Sequence, residues 1–399
     1  MAISLVNKGR VAIKAQSAWG TAETSFASTD FLEVEAPVMP VLMRETLGVD
    51  TFRPDFTAPP RVAGSKAMAT MTLKGPLHGW SAATPTNNPT IHPDATILRA
   101  ILGGGAALGY STAATGGTAA LATFSTIPTT FAGYASLFPT AGAGVIGWHN
   151  LVIVNTSSAP LVDLDGTPIT GTALGSYVVW LAGPETQALP LTLDWLGTDT
   201  TARMRYFDGL PSKVTITLAA KAQPMIEVEY VFLNWTAVGS GGAPTGYAYG
   251  YPQMPACIGA NGFSTRIDAI GEICPTTVVI EITQTLDPAD CGSADQGVDS
   301  LIASNREVLF TVTRNPTTLG ATPWTDAPGT AIAALQVDAN TTGGRAFSGI
   351  MKAPQVKSSP TPQANGNLLG LSTVYEALLY SGDTGSTAPA DIAVAFAFL

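Results

Sequence analysis

From Ile226 to Leu233 apolar and polar residues alternate. Ile226, Val228, Tyr230 and Phe232 fall on one side of an extended chain, and Glu227 and Glu229 on the other. A period of two belongs to a β-strand with one buried and one wet face. Val214–Leu218 carries the same signal and makes a natural antiparallel partner. Further strands are predicted at Val11–Ala15, Phe31–Val34, Lys66–Lys74, Leu151–Asn155, Tyr177–Leu181, Thr277–Thr285, Glu307–Thr313, Thr373–Leu379 and Asp391–Leu399. With 41 Gly and 29 Pro to supply turns, this spacing predicts an all-β sandwich or barrel. One short helix is predicted over Pro93–Leu102. Pro93 suits its first position and Asp94 its first turn, Ile97, Leu98, Ile101 and Leu102 form an apolar stripe, and Gly103–Gly105 ends it.

Charge narrows the class of protein. Only 12% of the 399 residues are charged, against roughly 25% in an ordinary soluble protein. Three explanations compete. A membrane-spanning chain needs apolar runs of about 20 residues, and every apolar run here is shorter, broken by Gly, Pro, Thr or a charge. A secreted chain is expected to open on a basic and then a long apolar segment, which Met1–Arg10 lacks. The third is a protein whose surface is largely buried against neighbours, since obligate interfaces are depleted in charge. The terminal alternation of Ile392, Val394, Phe396 and Phe398 with alanines also requires pairing, within the chain or across subunits. The net charge of −10 argues against a binder of phosphate backbones.

Motifs for chemistry are weak. Gly142-x-Gly144-x-x-Gly147 matches a dinucleotide fingerprint, but Trp148–Asn155 after it reads as a strand where a helix is required. His78, His92 and His149 lie too far apart for metal-ligand spacing, and Cys257, Cys274 and Cys291 read as buried small hydrophobes. Asp163–Gly166 opens like a calcium loop without its closing Glu. Glu227 and Glu229 would suit a glycosidase pair only if they converged on a substrate; otherwise they form a solvated face or line a pore. No catalytic residue, metal or cofactor is expected, and the chain is read as structural, not enzymatic.

The order of elements resembles that of the tail tube (major tail) proteins of phages with long non-contractile tails. Val11–Ala22, with its Trp19-Gly20-Thr21 step, is similar to their first strand. An acidic strand at Phe31–Glu35, a long Arg-containing loop at Pro37–Gly64, a strand at Ala67–Leu73 and a helix at Asp94–Leu102 follow in the same order. Phe207–Leu218 and Met225–Phe232 resemble their paired central strands. The resemblance implies packed β-sheets, a short flanking α-helix and long loops. It also implies self-assembly into rings, hexameric or trimeric and pseudo-hexameric, that stack into a conduit for the genome in the virion tail. The subunit would be made in the host cytoplasm. A tape measure protein in the lumen, a tail terminator and tail-tip proteins would be its other partners. DNA would pass without specific binding, and no membrane is involved.

On this reading residues 1–105 begin the tube domain. Within them, 37–64 is an inter-ring loop carrying Arg44, Phe52, Arg53, Phe56 and Arg61, and 93–102 is the helix. Residues 106–181 are an insertion or decoration, with Gly104–Gly144 a Gly/Ala/Thr/Ser-rich surface segment. Residues 182–399 hold the remaining strands or a second, diverged β-domain. Glu33, Glu35, Glu227, Glu229 and Glu281 are the candidate lumen-facing acids. The competing readings are another virion β-protein such as a capsid decoration, and a carbohydrate-binding or carbohydrate-cleaving protein that stacks sugars on its tryptophans.

Overall fold

The computed structural model describes residues 10–27, 30–35, 46–48, 61–63, 68–78, 93–102, 111–114, 121–123, 133–139, 149–153, 158–162, 177–181, 190–196, 203–238, 263–267, 271–273, 275–291, 298–315, 328–332, 334–339, 347–365, 368–378 and 394–398. In chain order these contain β1 (Arg10–Ala15), β2 (Phe31–Leu32), β3 (Thr46–Gly48), β4 (Arg61–Ala63), β5 (Ala69–Pro76) and the helix α1 (Pro93–Leu102). Next come β6 (Ser111–Ala114), β7 (Leu121–Thr123), β8 (Gly133–Pro139), β9 (His149–Ile153), β10 (Ser158–Val162), β11 (Tyr177–Leu181), β12 (Leu191–Leu196), β13 (Arg203–Ala219) and β14 (Met225–Val238). The chain continues with β15 (Phe263–Ile267), β16 (Gly271–Ile273), β17 (Pro275–Asp290), β18 (Val298–Arg314), β19 (Ala334–Ala339), β20 (Phe347–Lys352), β21 (Pro354–Asn365), β22 (Leu368–Ala377) and β23 (Val394–Phe398). Strands take up 74% of the described residues, and with a single helix among them the fold is all-β.

A ten-stranded antiparallel sheet organises the molecule. Its axis is the β13–β14 hairpin, whose register sets Val214 against Val228 and Ile216 against Ile226. This is the pair that the alternation predicts. The C-terminal half of β13 continues through β17, β18 and β22 to β21, while β5 adds to the far side of β14. The N-terminal half of β13 pairs instead with β12, which leads to β1 and β2. The sheet therefore branches along one strand. A register shift marks the branch, and there Asp208 adopts a left-handed φ of 55°.

The two ends of one branch nearly meet. Beyond β2, Glu35 N donates to Lys74 O of β5 at 2.8 Å. The circuit β2–β1–β12–β13–β14–β5 is thereby tied back on itself, which leaves little of that edge unpaired. Helix α1 packs Ile97, Leu98, Ile101 and Leu102 into the core cluster that this curved sheet encloses.

A second sheet, β16–β15–β19–β20–β23, stacks on the first to make a sandwich. Ile267, Leu335, Val337, Met351, Val394 and Phe396 share one apolar cluster with Ile216, Ile280 and Phe310 of the large sheet. Gly349 permits the close approach: a β-carbon there would stand 3.1 Å from Phe396 and 3.4 Å from Ile280 Cδ1. The terminal strand β23 finds its partner inside the chain, with Phe396 opposite Gly349 of β20.

Several expectations need correction. Gly104–Gly144 carries three strands, β6, β7 and β8, which join β9, β10 and β11 in a six-stranded sheet of their own. Pro37–Gly64, read as a long loop or projecting hairpin, contains a short antiparallel ladder, β3 against β4, in keeping with the hairpin. The strand expected over Phe31–Val34 stops at Leu32. Strands β12, β19, β20 and β21 are not predicted from alternation. β19 and β20 are buried at every position, and their polar residues bond inside the fold: Gln336 Nε2 donates to Asp338 Oδ1 at 2.7 Å and Ser348 Oγ to the same oxygen at 2.6 Å. Cys291 is half-buried, whereas Cys257 and Cys274 lie outside the described residues.

Candidate functional site

One set of alternating apolar residues of β13, β14, β17 and β18, among them Val214, Ile216, Val228, Ile280 and Phe310, joins the core shared with α1 and the second sheet, and the opposite face is half-buried to exposed across seven strands. One cross-strand row on it can be read residue by residue: Lys74, Glu227, Thr215, Glu281, Leu309, Glu376 and Gln355. At about 4.8 Å per strand this row is about 29 Å long. The next row holds Thr72, Glu229, Lys213, Thr283 and Glu307. Thr217, Thr277, Thr311 and Thr313 also lie on this face, interleaved with Met225, Val279, Val374 and Ala219. At one end the face becomes apolar, where Leu210, Leu233 and Leu301 bury themselves with Trp19, Met68, Val231, Leu286 and Val298.

Glu227, Glu229 and Glu281 share this face of the large sheet. The same surface carries Glu307 and Glu376, which were not singled out. Both lie at period-two positions beside Glu281 once the register is known. Glu227 and Glu229 are exposed. Glu281 is one-third exposed and bound to Lys213, with Nζ 3.1 Å from Oε2. Glu307 is bound to Lys357 of β21. That hydrogen bond raises the Lys357 pKa above its usual value against a small opposing effect of burial, and the charges of Glu307, Glu376 and Glu281 add to the rise.

Glu33 and Glu35 lie beside this face, at the outer margin of β5. Glu35 reaches Lys74, Nζ to Oε2 3.3 Å. Glu33 turns to a different cluster, where its Oε2 lies 3.4 Å from His78 Nε2. His78 is buried, and its Nδ1 lies 3.3 Å from Asp94 Oδ2 in the first turn of α1. Its backbone N–H also donates to Asp94 Oδ2 at 2.9 Å. Burial pulls the His78 pKa down, but the bonds and charges of Asp94 and Glu33 outweigh it and leave the pKa raised. Tyr230, whose hydroxyl is buried without a hydrogen-bond partner, is pushed well above the usual phenol range by burial and by the Asp94 charge. Sequence reading missed this cluster because its members are far apart in the chain. The one available signal, Asp94 in a helical first turn, reads as a helix-dipole partner.

A second buried polar group organises the turn after β1. Asp208 accepts hydrogen bonds from Gln16 Nε2 at 3.0 Å, Gly20 N at 2.7 Å and Asn234 Nδ2 at 2.5 Å. Its own N–H donates to Gln16 Oε1 at 2.7 Å. The Asn234-Trp-Thr triplet is therefore a structural element, its amide occupied. A third group is Asp194, which Arg203 Nε meets at 2.9 Å and Arg205 Nη2 at 3.2 Å, all three side chains buried.

Of the residues expected at an inter-ring loop, Arg44, Phe52, Arg53 and Phe56 lie outside the described residues, and Arg61 opens β4. The Gly142–Gly147 motif runs into strand β9, the wrong element for a dinucleotide site. Among the described residues no group of three or more His, Cys, Asp or Glu converges to hold a metal ion, and no helix is long and apolar enough to cross a membrane. No family model matches the chain, and no match to a curated protein is found.

Proposed function

We propose that the chain is the repeating subunit of a long non-contractile phage tail tube. It acts structurally and not as an enzyme, and its uncovered acidic sheet face lines the conduit. One observation carries the reading: a half-buried to exposed sheet face about 29 Å wide on which Glu227, Glu229, Glu281, Glu307 and Glu376 gather. A wall for DNA has to deny the phosphates any partner while staying wetted, and carboxylates with hydroxyls do this. The low charge of the chain supports burial of its remaining surface between copies, in hexameric or trimeric rings. On this reading the tape measure, terminator and tip proteins are its further partners, the virion tail is its place, and 37–64 bridges rings.

Negative-stain electron microscopy of the purified protein tests the proposal. Rings or hollow tubes are expected; particles without a lumen at every concentration would overturn it. Where tubes form, Glu227→Lys with Glu229→Lys should leave assembly intact and slow the passage of DNA. Ejection at the wild-type rate would remove these residues from the lumen.

A further inference from the structure

Among the described residues, each of the three lysines at the acidic face is matched to its own glutamate. Lys213 meets Glu281 at 3.1 Å, Lys74 meets Glu35 at 3.3 Å, and Lys357 is bonded to Glu307. The matches are made in three unlike ways. Lys213 and Glu281 sit diagonally on neighbouring strands, since Lys213 is directly opposite Thr283. Glu35 comes from a non-strand segment anchored to β5 through the Glu35 N to Lys74 O bond, 2.8 Å long. Lys357 stands at a register shift of β21 and reaches past β22 to β18. Of the arginines of these strands, Arg203, Arg205 and Arg314 are buried, and the exposed Arg306 donates to Leu102 O at the end of α1, 3.0 Å away.

Stability does not explain the arrangement. The six side chains are 35–55% exposed, and exposed pairs contribute on the order of 0–1 kcal/mol. Their effect on a passing polyanion is larger. A free ammonium on this wall would take a phosphate and release its counterions, whereas one paired with a carboxylate presents a site of no net charge. No ion pair among the described residues involves Glu227, Glu229 or Glu376.

We infer that Glu35, Glu281 and Glu307 are charge masks, specificity-determining residues that keep a phosphodiester polyanion from adhering to this face by occupying its lysines. The inference rests on reading the face as a conduit wall. It predicts a gain of binding on removal of carboxylates, which a merely structural role would not produce.

The test uses the full chain and a fluorescently labelled DNA duplex, with binding read by anisotropy. Wild-type protein should not bind. Glu281→Gln with Glu307→Gln should bind, and with two freed ammoniums the affinity should fall roughly tenfold between about 50 and about 200 mM salt. Adding Lys213→Gln and Lys357→Gln in that background should abolish the gain. Glu281→Gln alone should give a smaller gain by the same route, so the result does not hang on one variant folding. Duplex binding by the wild type, no gain in the variants, or a gain that survives loss of the lysines would each overturn the masks. The readout does not require tubes. A chain that gains binding but never forms a lumen refutes the conduit and not the masks; tubes without a gain refute the masks alone.

Discussion

His78 shows how one residue joins separate parts of the chain and makes their union pH-dependent. It sits between Asp94 of α1 and Glu33 of the segment after β2, and its pKa is raised in the folded state. A group whose folded pKa exceeds its unfolded value stabilises the fold fully below the unfolded value, about 6.5 for histidine. That contribution is lost as pH climbs through the higher folded pKa. Unfolding midpoints in denaturant should therefore decline from pH 6 upward through that pKa, and His78→Gln should flatten this decline. The substitution should also cost about 3 kcal/mol at pH 6, because it strips a buried carboxylate of its ionic partner. A His78→Gln curve parallel to wild type would exclude the histidine as the titrating group. Asp208 poses a similar question without titration. Its left-handed φ suits Asp or Asn better than most side chains, and it serves three donors. Asp208→Ala should cost about 2–4 kcal/mol in a denaturant titration. Asp208→Asn should cost clearly less, because Asn keeps the backbone preference and Oδ1, and Asn234 can rotate its amide to match.

At the scale of elements, the branch point in β13 decides the shape. Gly209 follows Asp208 there, and a β-carbon on it would stand 2.1 Å from Phe232 Cδ1. Phe232 is fully buried and stacks near Tyr230, with centroids 5.7 Å apart, so it has little room to yield. Gly209→Ala should destabilise by about 1–3 kcal/mol through overpacking, read as a lowered midpoint with an unchanged denaturant slope. Alternation made β13, β14, β17 and β18 legible because each has one wet face. From the same alternation Glu227, Glu229 and Glu281 could be assigned to a polar face. Register, which turns that face into a row and adds Glu307 and Glu376, depends on bulges at Pro211–Lys213 and Thr283–Thr285 that leave no mark on period-two patterning. β19 alternates Leu335 and Val337 with Gln336 and Asp338, but over six residues only, and β20 breaks the period where Ile350 adjoins Met351. Glu33 was grouped with the lumen acids on alternation alone; its partner His78 is 45 residues away and only the closed circuit brings them together.

The whole molecule is held by contacts between distant parts of the chain. β1 pairs with β12, β5 with β14, Gln16 with Asp208, and Arg306 Nη1 donates to Leu102 O at the end of α1, 3.0 Å away. Each of these links closes a loop that includes residues 111–181. The six strands in that interval pair only with one another among the described strands. None of them makes an extensive contact with the large sheet, the sandwich partner or α1. The large sheet should therefore not need them. Replacing residues 104–186 by a Gly/Ser linker of about 12 residues gives an end-to-end reach near 20 Å. Shortening the loop by that much should lower its closure cost by nearly 2 kcal/mol. The shortened chain should thus unfold cooperatively with a midpoint at or above that of the full chain. If 106–181 is a decoration, as proposed, the shortened chain should also form tubes with the same lumen and a smaller outer diameter under the electron microscope. Loss of cooperative unfolding would make those strands part of the fold. Cooperative unfolding without tubes would place them at the contacts between copies instead.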